Sequence, residues 1–352
     1  MALTLVRGNP RLDRVQAVIV VGGSTRTSTI PGISIAGPSP EGTLYTPTLD
    51  LEYLVTGRPI TLPVVPVSPE GLPTPALISR ALVGMTGASL LVVDSGTAHG
   101  IKAPHVTIPS AVMGGRIDEG SGLPRGAAER IIGEARMLGE NLARGLSGVM
   151  IGETIPGGTT TAAAIMEALV GVGVESVSSS SNRNPKDLKR KVIGKAVDRA
   201  GRCSDAYCKI DEVGDPVHPA IAGIAAGAVD AGIEVVLAGG TQMGAVLAIL
   251  DAIGIDTSRI TVATTRWILE DSSSDMVGIV DRFKAGLVAA DISFSDAPWS
   301  GLRMYEEGYV KEGVAAGGMM TLTLARGASP SEVKEAIYKE YRRLLSLVPK
   351  DR

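Results

Sequence analysis

Short apolar runs recur along the chain, each followed by a loop and then by a longer segment of helical period. The runs are Gln16–Val21, Leu62–Val67, Ser89–Asp94, Gly148–Ile151, Val174–Ser178, Ile233–Ala238 and Ile260–Thr264. Several are apolar at nearly every position, the pattern of strands covered on both faces. Between them, Arg125–Arg144 places Ala128, Ile131, Ile132, Ala135, Leu138 and Leu142 on one stripe with charges opposite. Strand, loop and helix in repetition predict an α/β fold. Its sheet is mainly parallel, with helices on both faces in a three-layer, Rossmann-like arrangement. Residues 1–352 are expected to form one large α/β domain, with a smaller subdomain from parts of 1–60 and 325–352.

Helix starts are marked in four places. Thr74-Pro75 and Asn184-Pro185 read as an N-cap followed by proline at the first helical position. His218-Pro219 opens an Ala/Gly-rich helix to about Ala231. Ser329-Pro330-Ser331-Glu332 is a capping box that launches Glu332–Leu347. The segment from Gly22 to Asp50, rich in Ser, Thr, Gly and Pro, is either a functional lid or a meandering surface loop.

Several function classes are disfavoured. The 34 basic and 37 acidic residues leave a net charge of −3, which argues against coating nucleic acid or a polybasic membrane contact. Aromatic residues are only 3%, too few for base-stacking platforms. No uncharged apolar run reaches about 18 residues, so no transmembrane helix is predicted. The first residues mix charge and apolar character, unlike a signal peptide, and a cytoplasmic location is expected. Cys203 and Cys208 cannot build a disulfide scaffold or a four-cysteine zinc site, and His99, His105 and His218 leave little room for a histidine-rich one. No metal or cofactor is expected. Asn and Gln are scarce, a bias that fits a heat-adapted source.

The strongest local signal is Gly152-Glu153-Thr154-Ile155-Pro156-Gly157-Gly158-Thr159-Thr160, where a strand ends, a glycine-rich loop turns and an Ala-rich helix begins. Small residues let backbone amides approach an anion, and a helix N-terminus adds positive potential. It is neither a Walker A loop nor a GxGxxG fingerprint. A tight turn with threonine caps is the plain alternative. A second loop, Ser178–Asn184, contains Ser180, Ser181 and Asn182 and leads into a helix carrying Lys189-Arg190-Lys191. It reads as a phosphate site or as a polar loop beside a solvated basic face. The third signal is Glu312-Gly313 within an apolar, glycine-rich stretch. If buried, this carboxyl rises in pKa toward a general base working near neutral pH; a surface turn is the alternative. Asp94 closes another strand.

In their order and spacing, these loops resemble the nicotinate-nucleotide–dimethylbenzimidazole phosphoribosyltransferase family, and more closely its divergent archaeal-type branch. That family carries a Gly-Glu-Met-Gly-Ile-Gly-Asn-Thr-Thr run, matched in length here and in identity at Gly152, Glu153, Gly157, Thr159 and Thr160. Aligning the family's Leu-x-x-Lys helix on Leu188 and Lys191 places Ser180-Ser181-Asn182 over its Gly-Thr-Gly loop. Val235–Gly240 occupies the place of a strand ending in Asp-Gly-Phe, with Gly239 and Gly240 at its end. Glu312 and Gly313 match the family's catalytic Glu-Gly. Departures are Asp94-Ser95-Gly96 for Asp-His-Gly, the lost Asp and Phe at Ala238–Gly240, and Thr264–Trp267 for a His-x-Ser-rich segment.

The resemblance implies transfer of the phosphoribosyl group of nicotinate mononucleotide to a benzimidazole-type base, giving an α-ribazole 5′-phosphate-like nucleotide for the lower ligand of cobalamin. Glu312 would be the general base and Glu153 a supporting carboxylate. Gly157, Gly158, Thr159, Thr160, Ser180, Ser181, Asn182, Lys191, Gly239, Gly240, Gly313 and Asp94 would bind substrate. A homodimer is implied. Two other readings stand beside it: a non-catalytic nucleotide sensor of the same fold, and a nucleotide-dependent oxidoreductase using Val20–Ser24 as its phosphate turn.

Overall fold

The computed structural model describes residues 2–68 and 70–347. One sheet holds eight strands: β1 (Leu3–Arg7), β2 (Ala17–Gly22), β3 (Ser89–Asp94), β4 (Val106–Thr107), β5 (Gly148–Thr154), β6 (Glu234–Ala238), β7 (Ile260–Thr265) and β8 (Gly286–Ala290). Their order is β1-β8-β7-β6-β5-β2-β3-β4. Only β1 runs antiparallel, against β8; the other pairs are parallel. The helices are α1 (Thr46–Thr56), α2 (Ala76–Thr86), α3 (Ala127–Ala143), α4 (Gly158–Val170), α5 (Lys186–Ala200), α6 (Ala206–Val213), α7 (Val217–Asp230), α8 (Met243–Ala252), α9 (Arg266–Leu269), α10 (Met276–Arg282), α11 (Ser300–Arg303), α12 (Ala316–Ala325) and α13 (Pro330–Leu345).

The continuous apolar runs serve two cores. Side chains alternate across a strand, so Ala17, Ile19, Val149, Ile151, Val235 and Leu237 face one layer, built from α3 to α8. Val18, Val20, Met150, Val236 and Ala263 face the other, built from α1, α2, α12 and α13. This is the expected α/β sandwich. The Ser329–Glu332 capping box forms, with both reciprocal hydrogen bonds. No helix among the described residues is long and apolar enough to cross a membrane.

Two expected strands are absent. Leu62–Val67 carries Pro63 and Pro66, which remove ladder donors; it forms a coil with one isolated bridge, Val67 to Pro73. Val174–Ser178 begins as a 3-10 turn, Val174–Ser176. The next strand, β6, pairs directly with β5, so no sheet position is left for it. Conversely, β1, β4 and β8 form without having been marked by a run; β8 is short and Ala-rich, and β1 depends on the β8 edge. Cys203 and Cys208, which cannot make a scaffold, nonetheless join each other. Asp205 between them accepts the Cys208 N–H at 2.9 Å, capping α6 and closing the turn.

Helices α3 and α7 cross at very close range. A Cβ at Gly223 would lie 2.5 Å from Ile132 O, one at Gly227 2.3 Å from Arg136 O, and one at Gly139 2.2 Å from Ile224 O. These contacts are to backbone, which cannot step aside. Gly223→Ala is therefore expected to destabilise by about 1–3 kcal/mol through overpacking, against about 1 kcal/mol for the cap variant Ser329→Ala. Denaturant midpoints compared at equal m-value check this; a Gly223→Ala midpoint at or above wild type would contradict the packing.

Candidate active site

Open parallel sheets place ligands beyond the carboxyl ends of their strands, and here the ends of β5, β6 and β7 gather buried carboxyl groups. Glu153 continues the alternation of Val149 and Ile151, so its side chain enters the α7 layer. It is 3% exposed, and its carboxylate accepts the Ile155 N–H at 3.1 Å. Burial, opposed by the His218 charge, pushes its pKa up to about 7.

Glu312 arrives from the turn between α11 and α12. Val314 N donates to Glu153 O at 2.8 Å, and Gly152 is required there, since a Cβ would lie 2.6 Å from Ala315 Cβ. Val310, Lys311, Val314 and Ala315 all have positive φ, a conformation that costs about 1–3 kcal/mol per non-glycine residue and gathers at functional sites. The turn is tied down by Val310 N to Ser180 O at 2.8 Å, Thr265 Oγ1 to Lys311 O at 2.7 Å and Ser79 Oγ to Val314 O at 2.5 Å. The Glu312 carboxylate accepts Gly317 N at 2.9 Å and Gly313 N at 3.1 Å. Burial nevertheless raises its pKa to about 8, with Glu153 adding repulsion. A Cβ at Gly240 would lie 3.0 Å from Ile268 Cδ1 and 3.5 Å from Glu312 Cβ, so this glycine packs between the two; Gly239 is packed by Met243.

The glycine-rich loop after β5 closes largely on itself. Gly158 N bonds Ile155 O at 3.1 Å and Thr160 N bonds Gly157 O at 2.9 Å. Gly157 has φ +77° and lies against Ser28, and Gly158 lies under the Gln242 side chain. The polar groups left for a ligand are hydroxyls: Thr159 is partly exposed, and Thr160 Oγ1 is buried without a partner. The cation behind this loop is not Lys191, which the structure turns to solvent. It is Lys189, two residues earlier and therefore on another helix face. Lys189 is fully buried, donating to Thr159 Oγ1 at 3.1 Å and to Ser178 O at 2.8 Å. Burial, with repulsion from Lys311, lowers its pKa to about 7. Lys311 donates to Ser181 O and Gly308 O and lies 3.4 Å from Asp271. Two buried lysines thus share one carboxylate beneath Ser178–Asn182. Ser180 and Ser181 are half-buried there, and Asn182 is exposed beside Gly308.

Other residues enter that no local motif marks. Asp50, the end of the Gly22–Asp50 segment, accepts Thr74 Oγ1 at 2.7 Å and Thr154 Oγ1 at 2.9 Å; burial raises it to about 6. The two ends of the segment are packed in, with Ser24, Thr25, Thr27, Ser28, Thr43 and Asp50 buried, while most of 31–41 is exposed. Asp215 and His218, both fully buried, meet at 2.6 Å. The one sequence signal for this pair was an aspartate three residues ahead of a histidine at a helix start. Asp94 ends β3, where its carboxylate caps Thr97 N at 2.8 Å. The Gly22-Gly23 turn offered to a dinucleotide is already filled: Cβ atoms there would lie 2.6 Å from Leu51 Cδ1 and 2.4 Å from Ser95 O. Among the described residues, no three potential ligands are grouped to hold a metal.

Comparison with known proteins gives the family and the fold. The profile of a family described as phosphoribosyltransferase matches residues 77–266. A UPF0284 protein of Aeropyrum pernix is 57% identical over 93% of this chain and 92% of its own, and one of Pyrococcus furiosus is 43% identical over 93% and 98%. The crystal structure of CobT from Thermus thermophilus superposes with a TM-score of 0.63 at 18% identity, covering 94% of this chain and 84% of that one. A second Thermus thermophilus structure, titled as a nicotinate-nucleotide–dimethylbenzimidazole phosphoribosyltransferase, gives 0.62 at 18% over 96% and 83%. The fold is therefore shared with those structures, and the chain belongs to the phosphoribosyltransferase family.

Proposed function

We propose that the protein transfers the 5-phosphoribosyl group of nicotinate mononucleotide to an azole nitrogen of a benzimidazole-type base. The observation that carries this reading is electrostatic. Three buried carboxyl groups, Asp50, Glu153 and Glu312, have pKa values pushed to about 6, 7 and 8 by burial. Such a site is short of positive charge. Nicotinate mononucleotide supplies it twice, first as a pyridinium ring and then as the ribosyl cation that develops when the ring departs.

The azole lone pair attacks the anomeric carbon as the bond to the pyridinium nitrogen breaks. That electron pair returns to the ring, which leaves as nicotinate with a neutral pyridine nitrogen. The azole N–H proton passes to Glu312, the general base. Glu153 faces the developing ribosyl charge. The substrate phosphate fits the hydroxyls of Thr159 and Ser180–Ser181 above Lys189 and Lys311, a pairing of anion with buried ammonium groups. Much of the acceleration comes from holding the two rings in line. The similar Thermus thermophilus structure is that of a nicotinate-nucleotide–dimethylbenzimidazole phosphoribosyltransferase, which supports the same donor and the same class of acceptor.

The reading is tested by incubating the protein with nicotinate mononucleotide and 5,6-dimethylbenzimidazole and separating nicotinate and the α-nucleotide by chromatography. Base-dependent nicotinate release is expected, and Glu312→Gln should lower kcat by about 10²- to 10⁴-fold with little change in donor affinity. Nucleotide binding without release, for any azole tried, would contradict it. A base with a raised pKa is inactive while protonated, so kcat/KM should rise with pH and fall at least about tenfold between pH 8 and pH 6; a flat profile removes Glu312 from the role. A cationic donor also stabilises ionised carboxylates. Donor binding near pH 7 should therefore release protons, read as a calorimetric enthalpy that changes with the ionisation heat of the buffer.

A further inference from the structure

We propose that Lys311 is a positioning residue whose ammonium group, with Asp271, locks the serine loop Ser178–Asn182 to the turn bearing Glu312, so that a phosphate seated on that loop sets the general base in place. This rests on the transferase reading above and deepens it, because it gives the donor's phosphate a part in turnover as well as in binding.

Three segments far apart in sequence meet at this one ammonium group. Lys311 is 3% exposed. Its Nζ donates to Ser181 O at 3.2 Å and to Gly308 O at 2.8 Å, and it lies 3.4 Å from Asp271 Oδ2. The same Asp271 oxygen accepts Ser178 Oγ at 2.5 Å, and the other accepts the Ser273 N–H at 3.0 Å. An ammonium group carries three protons, and these three partners use them. Lys311 therefore acts through what it holds and not by touching a ligand. The carbonyls of Ser178, Ser180 and Ser181 are engaged by Lys189 Nζ, Val310 N and Lys311 Nζ. A free carbonyl oxygen repels a phosphate oxygen, so these bonds leave the loop's other polar groups to receive an anion.

The backbone carries the lock to the base. Val310 and Lys311 have φ of +59° and +64°, a conformation that persists only where the surroundings over-determine it. Two of the bonds that do so go to the serine loop: Val310 N to Ser180 O at 2.8 Å, and Lys311 Nζ to Ser181 O. Thr265 Oγ1 holds Lys311 O at 2.7 Å, and Glu312 N closes on Val310 O at 2.8 Å. The residue immediately before Glu312 is thus fixed by its side chain and by its carbonyl, and a shift of the loop is a shift of the base. Misplacing a reacting group by an ångström costs about a hundredfold in rate, and binding energy from a remote group of the substrate is spent on such orientation.

Turnover is compared for two donors, nicotinate mononucleotide and nicotinate riboside, which lacks only the phosphate. In wild type the phosphate should raise kcat by about tenfold or more, since a truncated donor loses kcat and not only affinity. In Lys311→Met, kcat for the mononucleotide should fall about tenfold with its KM changed less than about threefold, while kcat for the riboside changes less than about threefold, so the ratio of the two kcat values collapses. Asp271→Asn/Lys311→Met removes both charges and avoids a stranded buried carboxylate, and Ser178→Ala loosens the same lock without touching a charge; both should lower the ratio. Where Lys311→Met does not fold, the ratio in these two decides. An equal kcat loss for both donors overturns the inference and marks Lys311 as structural. A loss confined to KM for the mononucleotide overturns it and marks Lys311 as a counter-charge. Wild type that binds the nucleotide but releases no nicotinate from either donor overturns the transferase reading itself, and this role with it.

Discussion

One backbone hydrogen bond, from Val314 N to Glu153 O at 2.8 Å, seats the turn that carries Glu312 on the end of β5. The rest of the site depends on it. Without that contact, Glu312 sits on a connection some 160 residues downstream of Glu153 in sequence and has no reason to lie near it. The contact requires Gly152, whose missing side chain admits Ala315, and a backbone held at positive φ at four non-glycine residues. Strain of that kind persists only where the surroundings over-determine it. Ser79, Ser180 and Thr265 do so, each from a different part of the chain.

The same enclosure that fixes the turn sets the chemistry. Shutting three carboxyl groups away from water raises all of them, because a desolvated anion is costly. A positive charge brought close to these groups would lower them again, which is what the transferase proposal asks of its donor. Beneath the serine loop the sign reverses. Lys189 and Lys311 share a single carboxylate, Asp271, under the serine loop. The carboxyl ends of the strands thus carry buried acidic groups and, under the serine loop, buried basic ones.

Much of this was legible in the sequence, and particular residues show why. Continuous apolar strands such as Val149–Ile151 and Val235–Leu237 announce a sheet covered on both faces, since burial leaves its mark on every position. Glu312 stood out as a lone carboxylate in an apolar, glycine-rich stretch, and Glu153 by its place where a strand ends in a glycine-rich loop. Lys189 was missed in favour of Lys191 because three basic residues in a row look alike along the chain, and only the rotation of α5 about its axis decides which is buried. Asp50 carries no local mark, and Asp215 only its place three residues ahead of His218 at a helix start; their partners Thr74, Thr154 and Thr161 come from other elements. The proline-broken run Leu62–Val67 read as a strand because apolar content outweighed its missing donors.

The amino-acid sequence by itself determined the α/β architecture, the loops that end β5 and precede α5, and the two glutamates, because periodicity, capping and desolvation cost act over a few neighbouring residues. Tertiary structure alone decided that Asp215 pairs with His218, that Asp50 reaches Thr154, which lysine lies buried behind the β5 loop, and that the two ends of the Gly22–Asp50 segment are buried. Those outcomes depend on which chain segments are brought face to face, and electrostatic coupling follows distance in space rather than position along the chain.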